Sequence, residues 1–244
     1  MYQFFISESQ IKEKRVSIEG ADFNHMKNVL RLKPGETFRV STDAGGNYLC
    51  EVTEYEENAG IGRITQELTE STELAGRIVL FQGLPKGDKM ELIIQKAVEL
   101  GASEIVPVRM KNCVVKLDDK KAKAKVARWQ AISEAAAKQS KRSRIPQIHE
   151  VMEYAAAIAY AEQFDVNLVP YENEGGISAS KEILANIKPT DTVGIFIGPE
   201  GGFDAKEIAK ARENMQSISL GRRILRTETA AITAMSLVMM QMEE

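Results

Sequence analysis

The sequence predicts an α/β protein in which a small N-terminal β-barrel is followed by a domain built on a parallel sheet. Two observations lead to this prediction. In residues 1–72, short apolar runs are separated by turn residues, as is typical of a small barrel. In residues 73–244, short apolar strands instead alternate with helical periodicity, as is typical of a parallel sheet covered by helices.

The N-terminal domain is expected to be rich in strands, with a single helix. Its predicted strands are residues 4–6, 16–18, 38–40, 48–50 and 61–64, which are separated by turns such as Pro34-Gly35 and Gly45-Gly46-Asn47. Helical spacing of apolar residues predicts a helix from Asp22 to Arg31. The polar stretch 65–73 is interpreted as a linker.

The C-terminal domain is expected to alternate strands with helices. Its predicted strands are residues 78–82, 104–109, 166–170, 193–197 and 217–220, and its predicted helices cover 90–100, 120–140, a segment from 204 and 230–242. Asp204 and Glu207 have the spacing of a helix capping pair, and Thr227 is a candidate N-cap. Gly101 is expected to end the first of these helices.

Composition and charge restrict the classes of function. The first ten residues do not resemble a signal peptide, and the longest apolar stretch is too short to span a bilayer, so we expect a cytoplasmic protein without membrane contact. Two cysteines and two histidines are too few for a zinc site, and we expect no metal. The net charge is −3, yet residues 111–144 hold eleven Lys/Arg and only three acids. Such a basic block indicates either a polyanion partner or a solvated helix face.

The sharpest local pattern is a strand that enters a glycine-rich loop and then a helix. Val193–Ile197 is followed by Gly198-Pro199-Glu200-Gly201-Gly202-Phe203, a geometry typical of ligand binding at the edge of a parallel sheet. No phosphate-binding motif is present, and the carboxylates of Glu200 and Asp204 disfavour a polyphosphate. A cationic, phosphate-free ligand such as S-adenosylmethionine fits better. A tight turn without ligand is the alternative.

A second loop of the same kind follows at residues 220–229. It contains Gly221 and three arginines, which could contact phosphate, and it leads into a helix that is apolar nearly all round. A helix of that kind must be buried, either in its own domain or against another copy of the chain. Because its apolar surface is so large, we expect a dimer.

Three motifs resemble one known family. IGPEGGF at 197–203, LGRRILRTETA at 220–230 and KGDKMELIIQKAVELG at 86–101 resemble the ribosomal RNA small subunit methyltransferase E family of the SPOUT superfamily. His25 and the Val29-Leu30-Arg31 run resemble its N-terminal domain, so the similarity covers nearly the whole chain. Asn112 and Lys138 depart from the family pattern, which often has Arg and Glu there.

The resemblance implies a fold, a reaction and a cofactor. The fold would be a PUA/OB-like β-barrel followed by a SPOUT α/β domain with a C-terminal trefoil knot. The protein would be a homodimer that methylates N3 of one uridine in 16S ribosomal RNA, alone or within the small subunit, using S-adenosylmethionine. The cofactor would contact three loops, through Val169, Pro170, Ile197, Gly198, Pro199, Gly201, Gly202, Leu220, Gly221, Ile224, Leu225 and Thr227.

Candidate catalytic residues follow from the chemistry of N-methylation, and candidate RNA contacts follow mainly from the basic residues. Uracil N3 must lose a proton while its oxygens gain negative charge, which requires a base and a cation. Arg226 is predicted to stabilise the anion and Glu200 to accept the proton, with Arg223 and Glu228 as further candidates. The predicted RNA contacts are His25, Arg31, Lys86, Lys89, Lys116, Lys141, Arg142 and Arg144.

Other functions remain as alternatives. A SPOUT methyltransferase could act on transfer RNA or on a ribose hydroxyl, and an RNA-binding protein could lack catalysis altogether. Detectable binding of S-adenosylmethionine would separate the enzymes from the binding protein. A nucleotide-driven protein is disfavoured because the chain lacks a lysine-containing phosphate loop.

Overall fold

The protein consists of two compact units. A computed structural model describes residues 1–171 and 176–243. Unit 1 is formed by Met1–Glu73 with Ala137–Ile145, and unit 2 is formed by Leu74–Ala136 with Pro146–Glu244. The short segment Ala137–Ile145 therefore groups with the N-terminal residues, although the sequence analysis placed it in the C-terminal domain.

Unit 1 is built on one six-stranded sheet. Its strands are β1 (Gln3–Ile6), β2 (Ile11–Lys12), β3 (Arg15–Glu19), β4 (Thr37–Thr42), β5 (Asn47–Tyr55) and β6 (Ala59–Glu67). They lie in the order β1-β4-β5-β6-β3-β2. The pairing of β1 with β4 is parallel and the other pairings are antiparallel. The predicted strands are confirmed, but β6 extends into the stretch interpreted as a linker.

The sheet of unit 1 curls around a single apolar core. Phe4 of β1 and Val16 of β3 belong to the same buried cluster as Phe38 and Val52, although β1 and β3 are not neighbours in the sheet. Within the described residues β1 and β2 are not paired with each other, so hydrogen bonds do not close the sheet. The structure thus shows a curled sheet where a barrel was predicted.

The predicted helix of unit 1 is short and irregular. Helix α1 (Gly20–Asn24) continues as one π-helical turn (His25–Val29), in which Leu30 N–H donates to the carbonyl of His25 at 2.9 Å. Arg31 then takes a positive φ of 55°, which ends the helical segment.

Unit 2 contains a seven-stranded parallel sheet. Its strands are β7 (Arg77–Gly83), β8 (Ala102–Arg109), β9 (Gln147–Ile148), β10 (Met152–Glu153), β11 (Val166–Pro170), β12 (Thr192–Ile197) and β13 (Gln216–Ile218). They lie in the order β10-β8-β7-β12-β11-β13, and β9 pairs with β8. The five predicted strands are confirmed. The sequence analysis missed β9 and β10, because two residues are too few to show a periodicity.

The helices of unit 2 lie between these strands in the chain, except for the last one, which follows β13. They are α2 (Lys89–Glu99), α3 (Asp119–Ser140), α4 (Tyr154–Ala161), α5 (Ile177–Ala185), α6 (Ala205–Ala211) and α7 (Thr227–Met242), and the last residues of α3 already belong to unit 1. Helices α4 and α5 were not predicted. Among the described helices, none has the length and apolar character needed to cross a bilayer.

Two predicted caps have different outcomes. The capping box of Asp204 and Glu207 is confirmed, since each side chain accepts a backbone N–H of the other end of the box. The prediction of Thr227 as N-cap of α7 is wrong. Arg226 occupies that position, and the Thr227 hydroxyl is used elsewhere, as described below.

Candidate active site

Pro170 and Tyr171 at the end of β11, together with the loops that follow β12 and β13, surround a cavity of about 640 Å³. Because these strands are parallel, their carboxyl ends lie at one edge of the sheet, which is where open α/β sheets bind ligands. The volume lies in the range of roughly 300–1,000 Å³ that is usual for small-molecule sites.

The first wall of the cavity is the glycine loop 198–203. The Gly198 backbone approaches the ring of Phe203 closely, and a Cβ on Gly201 would lie 3.0 Å from Cβ of Asn112 and 3.1 Å from its carbonyl oxygen. Gly202 has a φ of +66°, a conformation that side chains disfavour. Asn112 also donates from its amide to the carbonyls of Gly201 and Gly202, at 3.1 and 3.2 Å. The loop therefore has little freedom to shift.

The second wall is the loop from Leu220 to Thr227. Gly221 has a φ of +118°, so the turn favours glycine. Ile224 lines the cavity and is 84% exposed, whereas Thr227 is buried at the start of α7. Apolar side chains and backbone thus form most of this wall, and the arginines stand at its exposed side.

A charged cluster lies at the rim of the cavity. Lys89 Nζ is 2.8 Å from Glu200 Oε1 and 3.6 Å from Glu228 Oε2. The same Glu200 oxygen accepts the backbone N–H of Lys86 at 3.0 Å. The hydrogen bond to Glu200 raises the pKa of Lys89. Burial alone raises the pKa of Glu200, but the hydrogen bonds from Lys89 and Lys86 outweigh it, so the net shift is downward. Both shifts favour the charged forms of Lys89 and Glu200.

The cavity suits a ligand that has both apolar and charged parts, since Arg223 and Arg226 line it along with apolar residues. Its walls combine the apolar side chains of Ile197, Leu220 and Leu225 with closely approachable glycine backbone. Among the lining residues, the one lysine, Lys89, is already engaged by carboxylates, which leaves it poorly placed for a phosphate. These features fit a nucleoside that carries a positive sulfonium, as S-adenosylmethionine does.

The structure brings most of the predicted cofactor and catalytic residues together. Each residue predicted to bind the cofactor lines this cavity except Val169, which is buried within β11. Glu200, Arg223 and Arg226 also line it. Glu228 forms an ion pair with Lys89 but is not part of the lining.

The predicted RNA-binding residues are divided between the two units. His25, Arg31 and Arg144 are exposed in unit 1, and Lys86 and Lys116 are exposed in unit 2. Lys89 is held in the rim cluster described above. The basic block 111–144 is therefore not one continuous element.

Two residues of the basic block need a correction. Arg142 is buried, its guanidinium pairs with Glu73, and its carbonyl accepts the Gln3 amide, so it has no exposed charge to offer. Lys141 is half-buried, and its ammonium donates to the Met1 carbonyl at 2.6 Å. Both side chains contribute to the packing of unit 1.

Several residues at the site were missed by the sequence analysis. Gln82 and Phe203 adjoin or line the cavity, and Lys111 donates to Asp204 from its ammonium at 2.7 Å. Gln82 has a visible signal, because it is the single polar residue in the apolar run of β7. The Lys111 contact has none, since its partner lies far along the chain.

Metal and thiol chemistry find no support in the described residues. In residues 1–171 and 176–243, no group of three or more His, Cys, Asp or Glu is arranged to hold a metal ion. Cys50 and Cys113 are buried free thiols. Burial raises the pKa of Cys50 to about 12 and also raises that of Cys113, so neither is an activated nucleophile.

Comparisons with known proteins agree with one another. A model described as RNA methyltransferase domain matches residues 72–239, and one described as RNA methyltransferase PUA domain matches residues 18–64. The ribosomal RNA small subunit methyltransferase E of Bacillus subtilis is 36% identical, with 100% of this chain and 98% of that protein covered. Its counterpart in Mesomycoplasma hyopneumoniae is 37% identical over 95% of this chain and 96% of that protein.

A solved structure extends the similarity to the fold. The ribosomal RNA small subunit methyltransferase E of Neisseria gonorrhoeae, bound to S-adenosyl methionine, has a TM-score of 0.81 and 32% sequence identity. The alignment covers 97% of this chain and 96% of that one.

Proposed function

Because the chain belongs to the ribosomal RNA small subunit methyltransferase E family, we propose that it methylates N3 of one uridine in 16S ribosomal RNA. The methyl donor is S-adenosylmethionine, which a relative binds in its solved structure. The observation that supports the proposal most strongly is the arrangement of strand ends and loops around the cavity. The end of β11 and the loops that follow β12 and β13 form one cavity of suitable size, which is lined mainly by residues of two family motifs.

The protein side chains have defined tasks in this reaction. Bound S-adenosylmethionine supplies an electrophilic methyl group on its sulfonium. Apolar residues and glycine backbone of the two loops hold the cofactor, and exclusion of water strengthens electrostatic contacts at the rim. Arg226 lines the cavity and stabilises the negative charge that develops on the uracil oxygens.

Glu200 is the proposed proton acceptor. Its hydrogen bonds from Lys86 and Lys89 both use Oε1, so Oε2 is the oxygen proposed to accept the N3 proton. The lowered pKa keeps this carboxylate charged but makes it a weak base. We therefore expect the single-turnover rate to increase as pH rises above neutrality, because uracil N3 then loses its proton more easily.

Nucleoside analysis tests the proposed reaction. Ribosomal RNA and small subunits from cells that lack this protein are incubated with the purified protein and S-adenosylmethionine, then digested and analysed by mass spectrometry. We expect 3-methyluridine to form in 16S RNA and in no other RNA. A methylated ribose, or methylated transfer RNA, would instead support the alternative substrates, and binding without any transfer would support a non-catalytic protein.

Exposed basic residues of each unit, taken separately, are proposed to contact RNA. His25 and Arg31 in unit 1 and Lys86 and Lys116 in unit 2 are exposed, and the match to a PUA domain supports an RNA contact by the N-terminal unit. Lys141 and Arg142 are left out of these contacts because they are held within unit 1.

A homodimer is proposed from the exposed apolar side chains at α7. In α7, Met240 is 68% exposed and Leu237 is 38% exposed, and Ile224 in the loop before it is also exposed, which is unfavourable for an isolated chain. A closed two-fold pair would cover them. Sedimentation at micromolar concentration should show a species of twice the 27.1 kDa chain mass, and a purely monomeric species would contradict the proposal.

A C-terminal trefoil knot is proposed from the chain path. After β13 at one edge of the sheet, the chain returns so that α7 packs against β7, β12 and α2. Thr227 at its start contacts the loop that follows β12. When the termini are pulled apart in a single-molecule experiment, a knot would make the extended length shorter than that of an unknotted chain.

A further inference from the structure

Gln82 is a fully buried polar residue directly behind the cavity. It is the penultimate residue of β7, its neighbours in that strand are apolar, and its side chain has no exposure to solvent. A buried amide is unfavourable unless its polar atoms are hydrogen-bonded, so its partners indicate why a polar residue is tolerated here.

The hydrogen bonds of Gln82 form a short relay to the first cavity loop. Its amide Nε2 donates to Thr227 Oγ1 at 2.9 Å and to the carbonyl of Gly83 at 2.9 Å. The hydroxyl of Thr227 has only one hydrogen, which it donates to the carbonyl of Gly198 at 2.7 Å. Because Gln82 donates to the hydroxyl oxygen, the Thr227 proton is directed toward Gly198. The relay thus joins the end of β7, the start of α7 and the first residue of the glycine loop.

A second observation places the same strand end against the loop. A Cβ on Gly83 would lie 2.7 Å from the backbone nitrogen of Pro199 and 2.8 Å from its Cδ. Real Cβ atoms do not approach other atoms so closely, so the contact of β7 with Pro199 requires glycine. Gln82 and Gly83 therefore support Gly198 and Pro199 from behind, by hydrogen bonding and by close packing respectively.

We propose that Gln82 is a positioning residue for the cofactor, acting through Thr227 on the Gly198 carbonyl. The inference rests on the proposed function, because Gly198 and Pro199 line the cavity assigned to S-adenosylmethionine. Gln82 itself does not line the cavity. Its effect is to hold the loop backbone in the one arrangement that the cofactor contacts, which reduces the conformational freedom lost on binding.

A positioning role of Gln82 can be distinguished from a general contribution to stability by replacing its side chain. Gln82 Oε1 is buried and makes no hydrogen bond with any described residue. Replacement of Gln82 by Met keeps the length of the side chain, removes this unpaired oxygen and removes the donor to Thr227. The cost to folding is therefore expected to be small, whereas the loop loses its constraint.

The test compares variants at both ends of the relay by calorimetry with S-adenosylmethionine and by thermal unfolding. Gln82→Met and Thr227→Val are each expected to weaken binding by about tenfold or more. Thr227→Ser retains the hydroxyl that donates to Gly198 and is therefore expected to bind more tightly than Thr227→Val. Gln95→Met, at an exposed position of α2, is the matched control. The variant that combines Gln82→Met with Thr227→Val is expected to bind no more weakly than Thr227→Val alone, because both changes interrupt the same chain of hydrogen bonds.

Steady-state kinetics adds a readout that a loss of stability would not produce. We expect Gln82→Met to raise KM for S-adenosylmethionine more than it lowers kcat. Folded Gln82→Met and Thr227→Val proteins with wild-type affinity would overturn the inference, and so would fully additive effects. Failure of the wild-type protein to bind S-adenosylmethionine would instead overturn the proposed function, and this inference with it.

Discussion

The two glycine loops and the basic block 111–144 were both predicted to bind ligands. Their predicted residues come together in the loops but are separated in the basic block. The loops converge on one cavity, and nearly all of their predicted residues line it. The basic block is divided between the two units. Within it, Arg142 forms an ion pair with Glu73, and the Lys141 ammonium donates to the Met1 carbonyl. Loop geometry depends on local residues such as glycine, whereas the use of a charge depends on partners that are distant in sequence.

The largest expected effect is at Gly201. A valine there would place Cβ against Cβ and the carbonyl oxygen of Asn112, at distances of 3.0 and 3.1 Å before its two methyl groups are added. We expect Gly201→Val to abolish binding of S-adenosylmethionine in calorimetry, while circular dichroism shows a folded protein. Ala209→Val, at an exposed position of α6, is the control and should bind normally. Unchanged affinity of a folded Gly201→Val protein would mean that the ligand lies elsewhere.

Replacement of Arg142 tests whether the residues of the basic block contribute equally to the stability of the fold. Its replacement by alanine leaves the Glu73 carboxylate without its buried partner, and loss of such a pair costs about 3–5 kcal/mol of unfolding free energy. Arg144→Ala removes an exposed charge nearby and should leave stability within about 0.5 kcal/mol of wild type. Chemical denaturation measures both values. Equal stability of the two variants would show that Arg142 is no more structural than its neighbour.

Arg226 tests the catalytic side of the cavity. Alanine at this position removes the cation proposed to stabilise the uracil anion, so the single-turnover rate should fall by about 100-fold with cofactor affinity retained. Arg222 belongs to the same loop but does not line the cavity, which makes Arg222→Ala the matched control. If both variants methylate at the wild-type rate, Arg226 has no catalytic role.

The smallest effect is expected for the exposed lysines before and within α3. Replacement of Lys116, Lys120 and Lys123 by alanine removes charges that the fold does not bury. RNA affinity should fall by about tenfold or less at moderate salt, and the salt dependence should become shallower as phosphate contacts are lost. Binding of S-adenosylmethionine serves as the internal control. An unchanged salt dependence would show that this part of the block is only a solvated face.

The two residues that depart from the family pattern also depend on contacts with residues distant in sequence. Asn112 was noted only as an unusual residue, yet its amide holds the Gly201 and Gly202 carbonyls. Lys138, the other departure, pairs with Asp22 at 2.9 Å within unit 1. Each contact joins residues about ninety or more positions apart, so no local pattern could have indicated it.

The sequence by itself determined the positions of the main strands and of the glycine loops along the chain, and the capping box at Asp204, because periodicity, glycine φ preference and capping depend on neighbouring residues. Tertiary structure decided the rest. It directed the Thr227 hydroxyl to Gly198 rather than to a helix cap, and it buried Arg142 against Glu73. These outcomes depend on which distant groups meet once the core has formed, and a buried polar group must then take the partner that the fold provides.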